Sequence, residues 1–227
     1  MLYRIALAIV VCASWTMLNC AAEELDGLPL IFSDDFEQGA DHWEPTDAKA
    51  WKITEMEGHG KVYDQFRRSD YKPPHRSPYN VSLLKDVVVG DFVLLVKARN
   101  TAFKAGAHRD CCIFFGYQDD EHFYYGHQGL VRDAISNQLL KVDKGPRKPI
   151  GKANAGSPWD EDWHQIKLVR RVKEGTIELY FDDMEKPAKS AVDKDFAWGR
   201  IGLGSFDDTV QWDDVKLYGQ KVEPPVK

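Results

Sequence analysis

Apolar and polar residues alternate with a period of two along most of the chain, and turn-forming residues interrupt the alternation at short intervals. Phe92, Leu94, Val96 and Ala98 alternate in DFVLLVKARNT, Ile166 and Leu168 in WHQIKLVRRV, and Ile177, Leu179 and Phe181 in GTIELYFDDM. A period of two places such residues on one face of a strand. The link VKEGT between the last two stretches reads as a hairpin turn around Gly175. GRIGLGSF and TVQWDDVKLYG form another pair, joined at Asp207 and Asp208. Shorter candidates are LIFSDDF, AWKITE, KVYDQF, SLLKDVVV, CCIFFGY, HFYYGH and NQLLKVD. Few stretches have a helical period. About twelve strands with short turns predict an all-β protein, a two-sheet antiparallel β-sandwich.

Two stretches break the rhythm. Residues 67–80, RRSDYKPPHRSPYN, and residues 143–162, DKGPRKPIGKANAGSPWDED, are rich in proline and charge. Both read as long surface loops, either plain connections or the places where a rigid sandwich carries its binding site. No repeat or linker divides the chain, so residues 23–219 read as a single domain and QKVEPPVK, residues 220–227, as a flexible tail.

The start, MLYRIALAIVVCASWTMLNCAAEE, has one arginine, an apolar run too short for a membrane span, and then small residues. It reads as a signal peptide over residues 1–22, cleaved after Ala22, which predicts a secreted or periplasmic protein. Lipid attachment at Cys20 is the alternative, although Asn19 and Met17 stand where a lipobox wants a small residue and leucine. No later apolar run is long enough to span a membrane. Loss of the leader leaves 29 basic against 36 acidic side chains, a net charge of −7. That balance argues against nucleic acid as partner and suits neutral sugars or peptides. Cys12 and Cys20 fall in the leader, so only Cys111 and Cys112 remain and no disulfide framework is expected.

The densest chemistry is CCIFFGYQDDEHFYYGH, residues 111–127. Read as a hairpin turning at QDDE, it puts Cys112, Phe114 and Gly116 on one face and Cys111, Ile113, Phe115 and Tyr117 on the other. On the return strand His122 and Tyr124 oppose Phe123, Tyr125 and His127. One face enters the core, and parity alone leaves open which. Adjacent cysteines point to opposite faces, and their spacing to the histidines is not a usual zinc pattern.

The order of DFVLLVKARNT, CCIFFGYQDDEHFYYGH, WHQIKLVRRVKEGTIELYFDDM and GRIGLGSFDDTVQWDDVKLYG resembles that of concanavalin A-like jelly rolls of the laminin-G type, over most of residues 30–219. It is also similar to bacterial 3-keto-disaccharide hydrolase domains. Their closing pattern "W..I.....G.I..Y.D", then "G.IGL......W.DV.L", has counterparts at Trp163–Asp182 and Gly199–Leu217. The hydrolases' "NSGI" segment is replaced by DCCIFFGY, and the "E.D..E" carboxylates of laminarinase-like enzymes have no counterpart.

The resemblance implies a glycan bound on the concave face. Arg109, Tyr117, His122, Tyr124, His127, Asn137 and Trp159 form the candidate saccharide-binding set, with aromatic planes for sugar rings and polar groups for hydroxyls. The competing reading makes these aromatics core and the histidines surface. Trp163, at a strand start, is expected in the core. Glycosidic hydrolysis is the alternative activity, drawing on Asp119, Asp120, Glu121, Asp160, Glu161 or Asp162. A lyase would instead use Tyr124 or His127 with Arg109, Arg132 or Asn137. A protein-interaction module is the third possibility. Asp34 and Asp35 near the start, with Asp213 and Asp214 near the end, are candidate ligands for a structural Ca²⁺ if the first and last strands meet; turn capping is their plainer role. Two carboxylates in one cleft would mark an enzyme, exposed coplanar aromatics a glycan module, and a flat apolar patch a protein partner.

Overall fold

The computed structural model describes residues 23–153 and 156–225. The leader, with Cys20, lies outside the described residues. In chain order the strands are β1 (Glu24–Leu25), β2 (Leu28–Asp34), β3 (Trp43–Pro45), β4 (Trp51–Met56), β5 (Gly60–Gln65), β6 (Asn80–Leu84), β7 (Val89–Asn100), β8 (Asp110–Asp119) and β9 (His122–Gly129). They continue with β10 (Leu139–Asp143), β11 (Lys148–Pro149), β12 (Gly151–Ala153), β13 (His164–Arg171), β14 (Thr176–Phe181), β15 (Lys189–Val192), β16 (Arg200–Ser205) and β17 (Val210–Lys221). The strands beyond the expected set are mostly pieces of two or three residues, too short to show a period. β17 runs through Gln220 and Lys221, the start of the expected tail.

All pairings are antiparallel. One sheet has the order β1-β2-β17-β7-β13-β14-β15-β12, with the β4–β5 hairpin joined to β17 through β5. The other has the order β11-β10-β9-β8-β16-β6-β3. Their inner faces meet in one large core. Phe92, Leu94, Val96, Ile166, Leu168, Ile177, Leu179, Trp212 and Leu217 come from the first sheet, and Cys111, Ile113, Phe115, Tyr124, Ile201 and Leu203 from the second. Each such side chain contributes roughly 1.5–3 kcal/mol by leaving water, so the alternating pattern fixes the register.

Two of the register shifts move residues singled out above. In β8 the register slips between Phe115 and Asp119, where Gly116 takes φ +54°. An extra residue in the left-handed region is where glycine serves best. The slip carries Tyr117 to the same side as Phe114. In β17 the register slips between Asp213 and Lys216, with Asp214 at φ +48°. Trp212 and Val215 both enter the core, and Asp213, buried on the other face, bonds to Nε2 of His59 at 2.9 Å.

The outer face of the second sheet is not wet. Val81, Leu83, Cys112, Phe114, Tyr117, Phe123, Tyr125, Leu140 and Val142 form a second buried cluster there, with Phe114 and Tyr125 at 0 % exposure. The connection from β5 to β6, residues 66–79, lies against this face. Ser69 N–H bonds Asn80 Oδ1 (2.7 Å) at one end, and His75 Nε2 meets Glu121 Oε1 (3.1 Å) at the β8–β9 turn. The expected open sugar-binding face is therefore the floor of a small second core.

A fully buried lysine lies inside the sandwich. Nζ of Lys189 donates to Gln128 Oε1 and lies 3.4 Å from the Ser157 hydroxyl, both neutral groups. Burial pulls its pKa down from 10.5 to about 7. Between these values the unfolded chain binds a proton that the folded protein does not, so stability gains with rising pH across that window. Replacement of Lys189 by Met should remove that gain: the wild-type melting temperature, measured relative to K189M, is expected to climb from pH 7 to pH 10. Parallel profiles would contradict the burial argument.

Candidate functional site

Where β7 leads into β8 and β16 into β17, the two sheets are joined by buried polar groups. Oδ2 of Asp208 accepts the Asp110 N–H (2.6 Å) and the Asn100 amide (3.0 Å). The Asp208 carbonyl accepts the Ser205 hydroxyl (2.6 Å) and the Gln65 amide. The Asn80 amide bonds Ser205 (2.9 Å), and the Asn100 amide also reaches the Asp110 carbonyl (2.7 Å). Burial, then the nearby Asp110 charge, pushes the Asp208 pKa up to about 6. The β16–β17 turn is thereby held against the start of β8.

That clamp positions Asp110 at the wall of a cavity of about 420 Å³. Oδ1 of Asp110 accepts the Phe206 N–H at 2.8 Å, and Oδ2 lies 3.5 Å from His127 Nε2. His127 is at the end of β9, and its Nδ1 accepts the backbone N–H of Asn137 at 3.0 Å. A backbone N–H cannot exchange roles, so Nδ1 keeps its lone pair and neutral His127 carries its proton on Nε2. The ring is thus a fixed donor facing the Asp110 carboxylate. Phe206 contributes an aromatic wall, with the guanidinium carbons of Arg147 and Arg76 at 4.3 and 5.7 Å from its ring centre. The remaining wall comes from His108, Gly129, Val131, Asp133, Ile135, Ser136 and Asp207. Val131 is 53 % exposed and Ile135 38 %, which gives the mouth an apolar rim.

This arrangement can hold a polar ring: a carboxylate for hydroxyl donors, guanidiniums for acceptors and an aromatic plane for carbon faces. Its titratable groups are placed differently, with His108 and Asp207 exposed at the wall and the others held. His127 offers no lone pair to the cavity. Asp133 accepts the N–H groups of Ile135 (2.7 Å) and Ser136, bonds that hold its carboxyl below its usual pKa. Asp208, the carboxyl with the raised pKa, is walled off behind Asp110 rather than lining the cavity.

Of the seven expected saccharide-binding residues, His127 alone lines this cavity. Arg109 is buried, and its guanidinium clasps the carbonyls of Asn100 (2.8 Å), Trp159 (3.3 Å) and Asp160. Tyr117 belongs to the covered outer cluster, and Tyr124 to the core with its hydroxyl on Asp193. His122 bonds Asp119 (2.6 Å) beside the β8–β9 turn. Asn137 is buried and acts through its backbone N–H. Trp159 is a loop anchor rather than a sugar platform, 5 % exposed with its indole N–H on the Gln128 carbonyl (2.8 Å). Trp163, expected in the core, is half-buried and stacks on His59 at 4.7 Å. Cys111 and Cys112 are both buried free thiols whose pKa values burial drives upward, which removes them as nucleophiles.

The sequence signal for the missed residues was weak but present. Arg76 and Arg147 stand in the two proline-rich loops singled out as binding candidates, and Asp207 in the acid pair of the β16–β17 turn. Asp110 and Phe206 carried no separate signal, because their role arises from pairing across β8 and β16.

The expected calcium ligands are not gathered. β2 does pair with β17, and Asp34, Asp35 and Asp214 border one hollow of about 600 Å³. But Asp34 bonds the Phe36 N–H and the Trp43 indole (both 2.9 Å), Asp214 pairs with Lys97 (2.6 Å), and Asp213 is turned to His59. Among the described residues, Asp110, Cys112 and His127 are the one group of three whose ligand atoms lie within 4.8 Å of one another. That group also fits a metal poorly, since coordination at Nε2 would require Nδ1 to carry the proton against the Asn137 N–H.

No known family profile matches the sequence, and no curated protein matches it. Solved structures do resemble the fold. The carbohydrate-binding module CBM66 from Bacillus subtilis superimposes with a TM-score of 0.55 at 15 % identity, covering 78 % of this chain and 96 % of that one. A GH43 protein from Bacillus licheniformis gives 0.55 at 13 % identity, covering 83 % of this chain but 39 % of that one. Winged bean acidic lectin, complexed with methyl-α-D-galactose, gives 0.52 at 10 % identity over 85 % and 98 %. The protein is, by fold, a concanavalin A-like jelly roll.

The fixed tautomer of His127 bears on metal uptake. Protein stripped with EDTA and then given Zn²⁺ or Ca²⁺ is expected to keep its melting temperature, with no stoichiometric metal by elemental analysis. Uptake of one Zn²⁺ per chain, abolished in His127→Ala, would contradict it.

Proposed function

We propose that this protein is a carbohydrate-binding β-sandwich that holds a sugar residue in the end cavity, between Phe206 and the Asp110–His127 pair. The observation that carries this reading is the anchored Asp110 carboxylate. One of its oxygens is fixed by the Phe206 N–H and the other looks toward the His127 N–H at 3.5 Å, long enough to leave acceptor capacity for ligand hydroxyls. The fold shared with a carbohydrate-binding module and a lectin supports the reading. So does the size of the cavity, which suits one or two sugar rings. Binding without cleavage is favoured over hydrolysis, because His127 presents an N–H rather than a lone pair to Asp110, and Asp133 is held as an acceptor by the N–H groups of its own loop. The leader-like first 22 residues support work outside the cytoplasm.

The test is a panel of neutral and acidic oligosaccharides, followed by calorimetry and product analysis together. The expected result is saturable binding with no new reducing ends or unsaturated products. Phe206→Ala and Asp110→Asn are each expected to weaken binding by about tenfold, since each removes a contact worth about 1.5 kcal/mol. Circular dichroism should show the sandwich intact in both. Turnover of any panel member would overturn the binding reading.

A further inference from the structure

Two arginines at the cavity form no direct ion pair among the described residues, although Asp110, Asp133 and Asp207 line the same cavity. Arg67, Arg171 and Arg200 each pair with a carboxylate, at 3.2, 3.8 and 2.7 Å for the nearest partners. Arg76 and Arg147 line the cavity and have no such partner among the described residues. Arg147 donates one N–H to the Tyr125 hydroxyl at 3.2 Å and otherwise lies over the Phe206 ring. Arg76 is exposed, reaching the same ring from the 66–79 loop. Of the cavity's three acids, Asp110 is anchored by the Phe206 N–H and faces His127, Asp133 accepts the N–H groups of its own loop, and Asp207 stands exposed in the β16–β17 turn without an ion pair to either arginine. A guanidinium resting on an aromatic ring keeps its N–H fork free at the edge, the geometry that grips an oxyanion. Two such forks at one ring make a clamp for a single negative group.

We infer that the saccharide bound here is acidic, with a carboxylate or sulfate held by Arg76 and Arg147 while neighbouring hydroxyls donate to Asp110. The inference rests on the carbohydrate reading of the cavity. It also gives the acidic protein a local reason to accept an acidic ligand: attraction at the mouth is set by the nearest charges, since distant ones are screened beyond roughly 10 Å at ordinary ionic strength.

Calorimetric titration can compare trigalacturonate, triglucuronate and trimannuronate with their carboxyl-reduced neutral counterparts. A κ-carrageenan tetrasaccharide, which bears sulfate without carboxylate, distinguishes the two anions. At least one acidic saccharide is expected to bind about tenfold or more tightly than its neutral counterpart, the difference one charge-assisted pair makes. R76Q and R147Q should each cost the acidic saccharide about tenfold more affinity than its neutral counterpart, erasing most of that preference. R76Q is the safer variant for folding, because Arg76 makes no hydrogen bond among the described residues; R147Q gives up the Tyr125 contact. Equal affinity for acidic and reduced partners, or equal loss for both in the variants, would refute the acidic ligand and leave the carbohydrate reading standing. No binding by any saccharide would refute the carbohydrate reading itself, and this inference with it.

Discussion

A single carboxylate, that of Asp208, closes the end of the sandwich, and the site exists because it does. Its Oδ2 takes hydrogen bonds from both sheets: from Asn100 at the end of β7, and from the backbone of Asp110 at the start of β8. Its own carbonyl anchors Ser205 and Gln65. A buried carboxylate left without such donors would cost several kcal/mol, so the network is close to all-or-none. The linkage is informative. Its pKa, about 6 when folded against 3.8 when free, means that the folded protein holds an extra proton between those values. That contribution is full below pH ~4 and is lost as pH rises through 6. Above that pH the ionised side chain works as a pure acceptor for the N–H donors around it.

The second constraint is the covered outer face. Jelly rolls can offer a whole sheet face to a ligand. Here Phe114, Tyr117, Phe123 and Tyr125 make that face apolar, and the 66–79 loop lies over it. The face then serves stability, and the end cavity lies where loops converge and backbone groups are free of the ladder. The same loop that covers the aromatics delivers Arg76 to the cavity. One loop therefore lies along the broad face and lines the end cavity.

Much of this architecture was legible in the alternation of apolar residues, because β7, β13 and β14 each present one face to a single core. What could not be read were the places where alternation fails. The bulge at Gly116 moves Tyr117 across the sheet, and that at Asp214 keeps Asp213 out of the core. Neither leaves a trace in hydrophobic spacing. The candidate site was less legible still. His127 and one arginine from each charged loop do line the end cavity, whereas Arg109, Tyr124 and Trp159 are placed away from it. Arg109 clasps carbonyls, Tyr124 is in the core, and Trp159 plugs a loop. Exposure is decided by which segment crosses which face. That is a long-range fact, set by contacts such as His75 with Glu121.

The central claim is that the ligand enters the end cavity and not the sheet face. Chemical-shift mapping of the isotopically labelled protein, titrated with whichever saccharide binds, tests it most directly. The account requires the largest shifts at Asp110, His127, Arg147 and Phe206, with Phe114 and Phe123 unmoved. Shifts centred on the outer strands β10 and β9, with the cavity silent, would contradict it.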